Sequence, residues 1–271
     1  MKKTMIALAI LCMLAPFAYS AKPVSDPWRF RAGIRNSVGE GKLKPAELSR
    51  LLESLRRKTG FEQMRFDEAG FLVLGDRTRF AGGSAAAREL LVAAVDGRMA
   101  FDLQASNHSP AIAFAHLSAG HIQTSFKTKT RIEVREIHLD FADFAELRGE
   151  RRALEAFDLG LTALHELAHG VLGLQDAVGQ VAELGECDGL INQIRRELGL
   201  PERLGYSARV TRDVTGGGSN SVAELVFTLE RVKEVRPETK RLYLRWDATR
   251  VASATSRHDS ATRPTIMAVV R

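Results

Sequence analysis

Two histidines four residues apart lie inside an amphipathic segment in the second half of the chain. The apolar residues of this segment recur at steps of three and four, and they are Leu154, Phe157, Leu161, Leu164, Ala168 and Leu172. This spacing predicts one helix over residues 150–173 with a single apolar face, ended by Gly173. His165 and His169 are therefore expected to lie one above the other on an adjacent face of that helix.

The motif from His165 to His169 reads H-E-x-x-H. Two imidazoles stacked on a helix can bind one tetrahedral zinc ion. Glu166 lies about 100° further round the helix, where its carboxylate can reach a zinc-bound water without displacing it. The alternative is structural: both histidines make hydrogen bonds in the core, and Glu166 faces solvent.

The motif resembles that of the zincin metallopeptidases, and the likeness covers the motif helix and the next helix, residues 150–198. The resemblance implies a zinc-dependent peptidase with Glu166 as general base. It also implies an α+β fold: a zincin-like mixed sheet with an H-E-x-x-H helix and a following helix that carries a ligand. The stretch from His169 to Gln175 lacks the third histidine of the metzincin branch. The third ligand is therefore expected to be a carboxylate, as in the gluzincin branch.

The second helix, predicted over residues 182–198, offers three acidic residues as the third ligand. Its apolar stripe consists of Leu184, Cys187, Ile191, Ile194 and Leu198. At about 100° per residue, Asp188 lies about 60° from the centre of this stripe, Glu183 about 80° and Glu186 about 140°. We predict Asp188, because Asn192 follows one turn later on the same side. Glu183 and Glu186 are the alternatives.

The second helix is expected to end near Gly199 and Pro201, and Arg203 and Tyr206 follow. The Arg-x-x-Tyr spacing resembles the pair that stabilises the oxyanion in clostridial neurotoxin light chains and related bacterial effector peptidases. A cation and a phenol hydroxyl are suitable donors to the negative charge of a tetrahedral intermediate. We therefore predict catalytic roles for Glu166, Arg203 and Tyr206. For Arg203 and Tyr206 the alternative is a position on the surface.

Patterns elsewhere in the chain predict both helices and strands. Helices are predicted over 45–58 and 84–95, and strands over 99–105, 131–141, 206–214, 222–232 and 241–246, with two short strands around a turn at 67–70. Alternation in the strand at 131–141 changes phase near Arg135, which predicts a bulge there. We expect this strand to be the sheet edge beside the metal helix, where an extended substrate would pair with it.

The N-terminus has the pattern of a cleavable secretory signal. Two lysines precede an apolar run at 5–13, and Ala18 and Ser20 supply the small residues that a signal peptidase reads. The alternative is an uncleaved membrane anchor, but the run is far shorter than the roughly 20 residues that a spanning helix needs. We predict a signal peptide over 1–20 and one domain over 21–271, periplasmic or secreted.

Composition limits the function further. The net charge of +6 is not accompanied by a recognition motif, so no nucleic-acid partner is predicted. Beyond the signal the chain has one cysteine, Cys187, which excludes an intrachain disulfide and is expected to be a small buried residue. We predict a secreted zinc metallopeptidase that acts on a protein or peptide substrate, with no stable membrane span after signal cleavage. The alternative is a non-catalytic secreted binding module whose metal is structural or absent.

Overall fold

The structure is a computed structural model, and it describes most of the chain from residue 31 onward. The described residues are 31–36, 41–125, 128–177, 183–206, 208–213, 220–232, 237–251 and 269–270. The predicted signal peptide at 1–20 lies outside them.

The described residues form helices and strands in an interleaved order. The helices are α1 (Pro45–Thr59), α2 (Ala85–Asp96), α3 (Phe141–Glu146), α4 (Arg151–Ala156), α5 (Leu159–Leu172) and α6 (Glu186–Glu197). The strands are β1 (Gly33–Asn36), β2 (Arg65–Phe66), β3 (Leu72–Val73), β4 (Met99–Ala105), β5 (Ala115–Leu117), β6 (His121–Thr124), β7 (Arg131–Leu139), β8 (Arg148–Gly149), β9 (Glu202–Arg203), β10 (Ala208–Asp213), β11 (Asn220–Val232), β12 (Pro237–Asp247) and β13 (Val269–Val270). Among the described residues, no helix is both long and apolar enough to cross a membrane.

Most of the predicted elements are confirmed, with shifts at their ends. α1, α2, β4 and the hairpin of β2 and β3 lie where the sequence predicts them, as do the three C-terminal strands β10 to β12. Ser84 caps α2, because its hydroxyl accepts a hydrogen bond from the backbone N–H of Ala87 at 3.0 Å. α3 and the short strands β1, β5 and β6 were not predicted.

One sheet mixes parallel and antiparallel strands, which confirms the α+β class. β1, β4 and β7 are parallel neighbours. β5 and β6 both run antiparallel to β7, on the side that does not face β4. Among the described strands, β5 and β6 therefore form this edge of the sheet. The prediction that the strand at 131–141 is the edge is wrong, because β7 is paired on both sides.

The predicted bulge in β7 is also wrong, because β7 pairs regularly with β4 through Arg135. The extra residue lies in the edge strand, where the three residues 118–120 face the two residues 135–136. The alternation in β7 changes phase for another reason. Val134 belongs to a small cluster on one face of the sheet, whereas Ile137 belongs to the main core on the other.

α5 packs against this sheet and is buried on almost all sides. Every residue from Leu159 to Ala168 is buried, with α1, α2 and α6 around the helix and β5 and β7 against it. A helix that is apolar all round belongs inside a core. His165 and Glu166 are therefore polar residues placed in a core, where they need partners to offset the loss of hydration.

The single helix predicted over 150–173 is two helices, α4 and α5, so that prediction is wrong at its start. Asp158 separates them and caps α5: its carboxylate accepts a hydrogen bond from the backbone N–H of Leu161 at 3.1 Å. The same carboxylate accepts a hydrogen bond from the Ser54 hydroxyl of α1 at 2.8 Å. This cap stabilises a helix that begins at residue 159.

α6 begins at Glu186, later than the predicted start at residue 182, and residues 178–182 lie outside the described part of the chain.

The second sheet is antiparallel at its centre, in the order β10, β11, β12, and it has its own apolar cluster. Phe144 and Leu200 pack against both this cluster and the main core, so the two cores adjoin. The single domain over 21–271 stays a prediction.

Close contact between α5 and β4 predicts the effect of a single methyl group. A Cβ added at Gly170 would lie 2.4 Å from a ring carbon of Phe101, which is buried. We expect Gly170→Ala to lower the free energy of unfolding by about 1–3 kcal/mol through overpacking, measured by urea denaturation. Gly189→Ala in α6 is the matched control: a Cβ there meets nothing within 4 Å. It should stabilise by about 0.5–1 kcal/mol. Equal stabilisation by both substitutions would contradict this packing.

Candidate metal centre

The two histidines of the motif lie together on α5, as their spacing predicts. Their Nε2 atoms are 3.2 Å apart, and the rings meet edge to face with centroids 4.8 Å apart. The side chain of His165 is 2% exposed and that of His169 11% exposed. The pair is therefore largely buried, and His169 is the more accessible of the two.

The chain turns back sharply after α5. Gly173 ends the helix with φ of 68°, and its N–H donates to the carbonyl oxygen of His169 at 3.1 Å. Glycine adopts this left-handed conformation without the strain that a side chain would bring. The turn directs the next residues back along the helix end and brings Asp176 to both histidines.

Asp176 contacts both imidazoles with its two carboxylate oxygens. Its Oδ1 lies 3.0 Å from Nε2 of His165, and its Oδ2 lies 3.2 Å from Nε2 of His169. Ligand atoms at 2.0–2.1 Å from a tetrahedral zinc ion are separated from one another by about 3.3 Å. The three separations are close to that value, although Oδ1 of Asp176 approaches His165 and Oδ2 approaches His169. One of these two oxygens would bind an ion together with the two imidazoles.

The start of α6 holds the segment that carries Asp176. The backbone N–H of Gln175 donates to the Glu186 carboxylate at 3.1 Å, and the N–H of Cys187 donates to the Gln175 carbonyl at 3.3 Å. Gly185 lies directly against the segment, since a Cβ there would come within 2.6 Å of the carbonyl carbon of Asp176. The close approach at Gly185 therefore helps to fix the position of Asp176.

The proton on His169 is placed by the carbonyl oxygen of Leu174, 2.7 Å from Nδ1. A carbonyl oxygen only accepts, so Nδ1 carries a hydrogen, and in the neutral imidazole Nε2 then keeps its lone pair. That lone pair faces His165 and Asp176. A histidine that binds a metal through one nitrogen commonly donates the other N–H to such an acceptor, which orients the ring.

Cys187 joins the cluster from the other side of His169. His165, His169, Asp176 and Cys187 each offer a ligand atom within 4.8 Å of the others. The Cys187 thiol is 3.3 Å from Nδ1 of His169, however, which is the nitrogen that faces away from Asp176. We therefore assign His165, His169 and Asp176 as the candidate ligands. Cys187 is fully buried, as the sequence predicts, and burial raises the pKa of its thiol.

Glu166 is fully buried beside this cluster. Neither carboxylate oxygen has a hydrogen bond of good geometry with any described residue. Burial raises the pKa of Glu166, while the two neighbouring histidines lower it and Asp176 raises it. A buried carboxylate without a hydrogen-bond partner is costly in a core, so this group marks a place where a ligand or water would bind.

The charges of the cluster are strongly coupled. Burial by itself lowers the pKa of His169, but the Asp176 hydrogen bond and the Cys187 contact raise it to about 11. Burial by itself raises the pKa of Asp176, and the hydrogen bonds to His165 and His169 bring it well below its usual range. The carboxylate of Asp176 therefore favours a positive charge on the neighbouring imidazoles.

Asp188, predicted as the third ligand, lies away from the cluster. Its carboxylate is fully buried and its Oδ1 lies 3.3 Å from Nη1 of Arg203. The two alternatives do not join the cluster either. Glu183 and Glu186 have exposed side chains, and Glu186 binds the Gln175 backbone. The prediction of Asp188 is corrected to Asp176 because the buried face of α6 that carries Asp188 meets Arg203.

Of the predicted oxyanion pair, only Tyr206 reaches the cluster. Its hydroxyl donates to Oδ2 of Asp176 at 2.9 Å, and burial raises the pKa of this phenol. Arg203 is 1% exposed, and its guanidinium binds Asp188 and the carbonyl oxygen of Tyr206. The alternative of surface positions for these two residues is wrong, since both are buried. Arg203 is buried against Tyr206, so its guanidinium is not accessible to a substrate.

Asp176 is not among the predicted ligands, because the helical pattern places the third ligand on the next helix. A signal was nevertheless present in the sequence. Asp176 is the one acidic residue between His169 and Glu183, and it follows a glycine that can end a helix. A turn at Gly173 followed by a carboxylate provides a ligand to the same helix face without a second helix.

Comparison with known proteins adds no relative to this description. No protein-family model, no curated protein and no solved structure matches the chain. Inferences about function therefore rest on the residues and on their geometry.

The geometry predicts which carboxylate retains a metal. Purified protein should bind about one zinc ion per chain. Asp176→Ala and His165→Ala should lose most of it, because each removes one of three ligand atoms. Glu183→Ala is the control and should keep the zinc, since that side chain is exposed. Metal content by mass spectrometry after dialysis measures the effect, and full retention by Asp176→Ala would remove it from the ligand set.

Proposed function

We propose that this chain is a secreted zinc-dependent hydrolase that cleaves peptide bonds. The observation that carries the proposal is the buried Glu166 carboxylate, whose oxygens make no hydrogen bond of good geometry with the described residues, beside three converging ligand atoms. The donor set of two imidazoles and one carboxylate is one that zinc accepts in catalytic sites. The peptide as substrate rests on the H-E-x-x-H resemblance, and secretion rests on the pattern of residues 1–20.

Three protein ligands leave a position for a fourth. Zinc held in this way lowers the pKa of a water molecule to about 7 and polarises a carbonyl group. His165, His169 and Asp176 would hold the ion, with the Leu174 carbonyl orienting the His169 ring. The enclosed position of the cluster would limit access of bulk water.

Glu166 would move the proton in both halves of the reaction. It would accept a proton from the attacking water and deliver it to the leaving amine. Burial raises the pKa of Glu166, which is the direction that strengthens a carboxylate as a base. Its position one residue after His165 keeps it next to the ligands without making it one.

Tyr206 would donate to the negative charge that develops on the substrate carbonyl oxygen. Its hydroxyl lies at the cluster, where its single hydrogen is donated to Asp176, and this hydrogen would turn to the carbonyl oxygen as the charge develops. Arg203 has no part in this step, because its guanidinium is buried against Asp188. The proposed catalytic residues are therefore Glu166 and Tyr206.

The edge of the mixed sheet offers a place for an extended peptide. β5 contacts α5, and the Leu117 backbone of β5 is close enough to Glu166 to lower its pKa. An extended segment that pairs with β5 would therefore pass Glu166. β5, in place of the strand at 131–141, would therefore be the strand that pairs with an extended substrate.

A second candidate is a structural metal site in a non-catalytic binding module, and Cys187 is the observation that favours it. Structural zinc sites have four protein ligands, and Cys187 would complete the set of His165, His169 and Asp176. Two features favour the enzyme. The thiol contacts the Nδ1 side of His169, and a structural site would leave the Glu166 carboxylate buried without purpose.

Glu166→Gln separates metal binding from hydrolysis. The variant should bind zinc as the native chain does, because Glu166 is not a ligand. Its cleavage of a mixed-sequence peptide library should fall by about a hundredfold or more, because the base is lost. Glu183→Gln, an exposed acid that precedes α6, is the matched control and should remain active. Native-like cleavage by Glu166→Gln would exclude Glu166 as the base.

Tyr206→Phe tests the donor at the oxyanion. At saturating zinc, we expect turnover to fall by about a hundredfold, the usual effect of removing one such donor. Saturating zinc is essential, because the hydroxyl also binds Asp176 and its loss should weaken the metal site. If turnover returns to the native value once the site is filled, Tyr206 serves only to hold Asp176.

A further inference from the structure

We infer that Arg203, held by Asp188, is a positioning residue that fixes Tyr206 against Asp176. The inference rests on the proposed function in one respect, since Asp176 is taken as a metal ligand. It assigns a role to two buried charged residues that the proposed reaction does not use. It also replaces the predicted roles of Asp188 as a ligand and Arg203 as an oxyanion donor.

Arg203 holds Tyr206 at two places. Its Nη2 donates to the carbonyl oxygen of Tyr206, and the centre of its guanidinium lies 5.2 Å from the centroid of the Tyr206 ring. Phe157 also lies beside the Arg203 guanidinium, and its ring centroid is 5.8 Å from the guanidinium carbon. Backbone and ring of Tyr206 are thus both restrained by one side chain, which fixes the direction of the hydroxyl.

Asp188 holds the guanidinium in turn. The two side chains are 0% and 1% exposed, and their closest approach is 3.3 Å between Nη1 and Oδ1. A buried guanidinium requires a paired charge, and Asp188 supplies it. Nε of Arg203 has no hydrogen-bond partner among the described residues, but it is itself buried and not open to substrate.

α6 also fixes the backbone of Arg203. Asn192, one turn after Asp188, accepts from the Arg203 N–H at 2.8 Å and donates to the Arg203 carbonyl oxygen at 2.9 Å. The backbone N–H of Tyr206 donates to the carbonyl of Glu183 at 3.0 Å, just before the helix. Side chain and backbone of Arg203 are therefore held by one face of α6, which makes Arg203 a rigid support.

The contacts described above form a continuous path from Asp188 through Arg203 and Tyr206 to Asp176. Its last contact is the hydrogen bond from the Tyr206 hydroxyl to Oδ2 of Asp176, at 2.9 Å. Groups that hydrogen bond to a metal ligand set its orientation, and their removal typically lowers metal affinity by about tenfold to a hundredfold. Loosening Arg203 should therefore weaken metal binding without touching a ligand.

The test is a double-mutant cycle of cobalt(II) affinity in the full chain, read by the visible absorption of the bound ion. The variants are Arg203→Lys, Tyr206→Phe and their combination. Each single variant should lower cobalt affinity by about tenfold or more, and the combination should lower it no further. A residue that acts through Tyr206 has nothing left to act on once the hydroxyl is gone.

Arg35→Lys is the matched control for a buried arginine. Arg35 is 2% exposed and binds Asp102 across β1 and β4, outside the path of contacts from Asp188 to Asp176. It should lower the melting temperature and leave cobalt affinity and the cobalt spectrum unchanged. Asp188→Asn is the second route to the same effect, should Arg203→Lys fail to fold, and it should also weaken cobalt binding.

The outcomes separate this inference from the proposed function. If Arg203→Lys and Asp188→Asn lose only thermal stability, or if Arg203→Lys and Tyr206→Phe act additively on cobalt affinity, the positioning role is overturned while the metal site stands. If the native chain binds neither cobalt nor zinc, the proposed function and the inference are overturned together.

Discussion

The contact of Asp176 with both histidines is the interaction on which the rest of the site depends. The histidines are fixed by α5, which the core surrounds, whereas Asp176 is on a segment outside any helix. Its position depends on the turn at Gly173 and on the close approach of Gly185. The start of α6 and the hydroxyl of Tyr206 then hold the same segment. Four short-range features are therefore needed to place one carboxylate.

The local parts of the site could be predicted from the sequence. Helical spacing alone places His165 and His169 together, because residues four apart are neighbours on any helix. Asp188 and Asn192 share the buried side of α6, as their angular positions predict. Angular positions do not show which residue faces them, because Arg203 comes from a different element. Periodicity fixes the direction of a side chain within a helix, whereas its partner is set by how elements pack.

The same distinction explains the errors in the sheet. Alternation in β7 was interpreted as a bulge because the pattern assumes one buried face. β7 buries Val134 on one face and Ile137 on the other, so the phase changes while the strand stays regular. The edge position of β5 likewise depends on its pairing with β7. The sequence of a three-residue strand does not indicate which strand it pairs with. The sequence does not show the break between α4 and α5 near Asp158, because apolar residues recur at helical spacing on both sides of it.

Charge balance connects the site to the metal ion that we propose. With both histidines neutral, Glu166 and Asp176 together bring two negative charges into a largely buried cluster. A divalent cation neutralises them. In its absence protons must do so, and Asp176 accordingly raises the pKa of His169 to about 11, against the effect of burial. A cation that binds near neutral pH therefore has to displace a proton, so binding releases protons and weakens as the pH falls. The carboxylate that attracts the proton is also the one that would hold the ion, so the two compete for the same position.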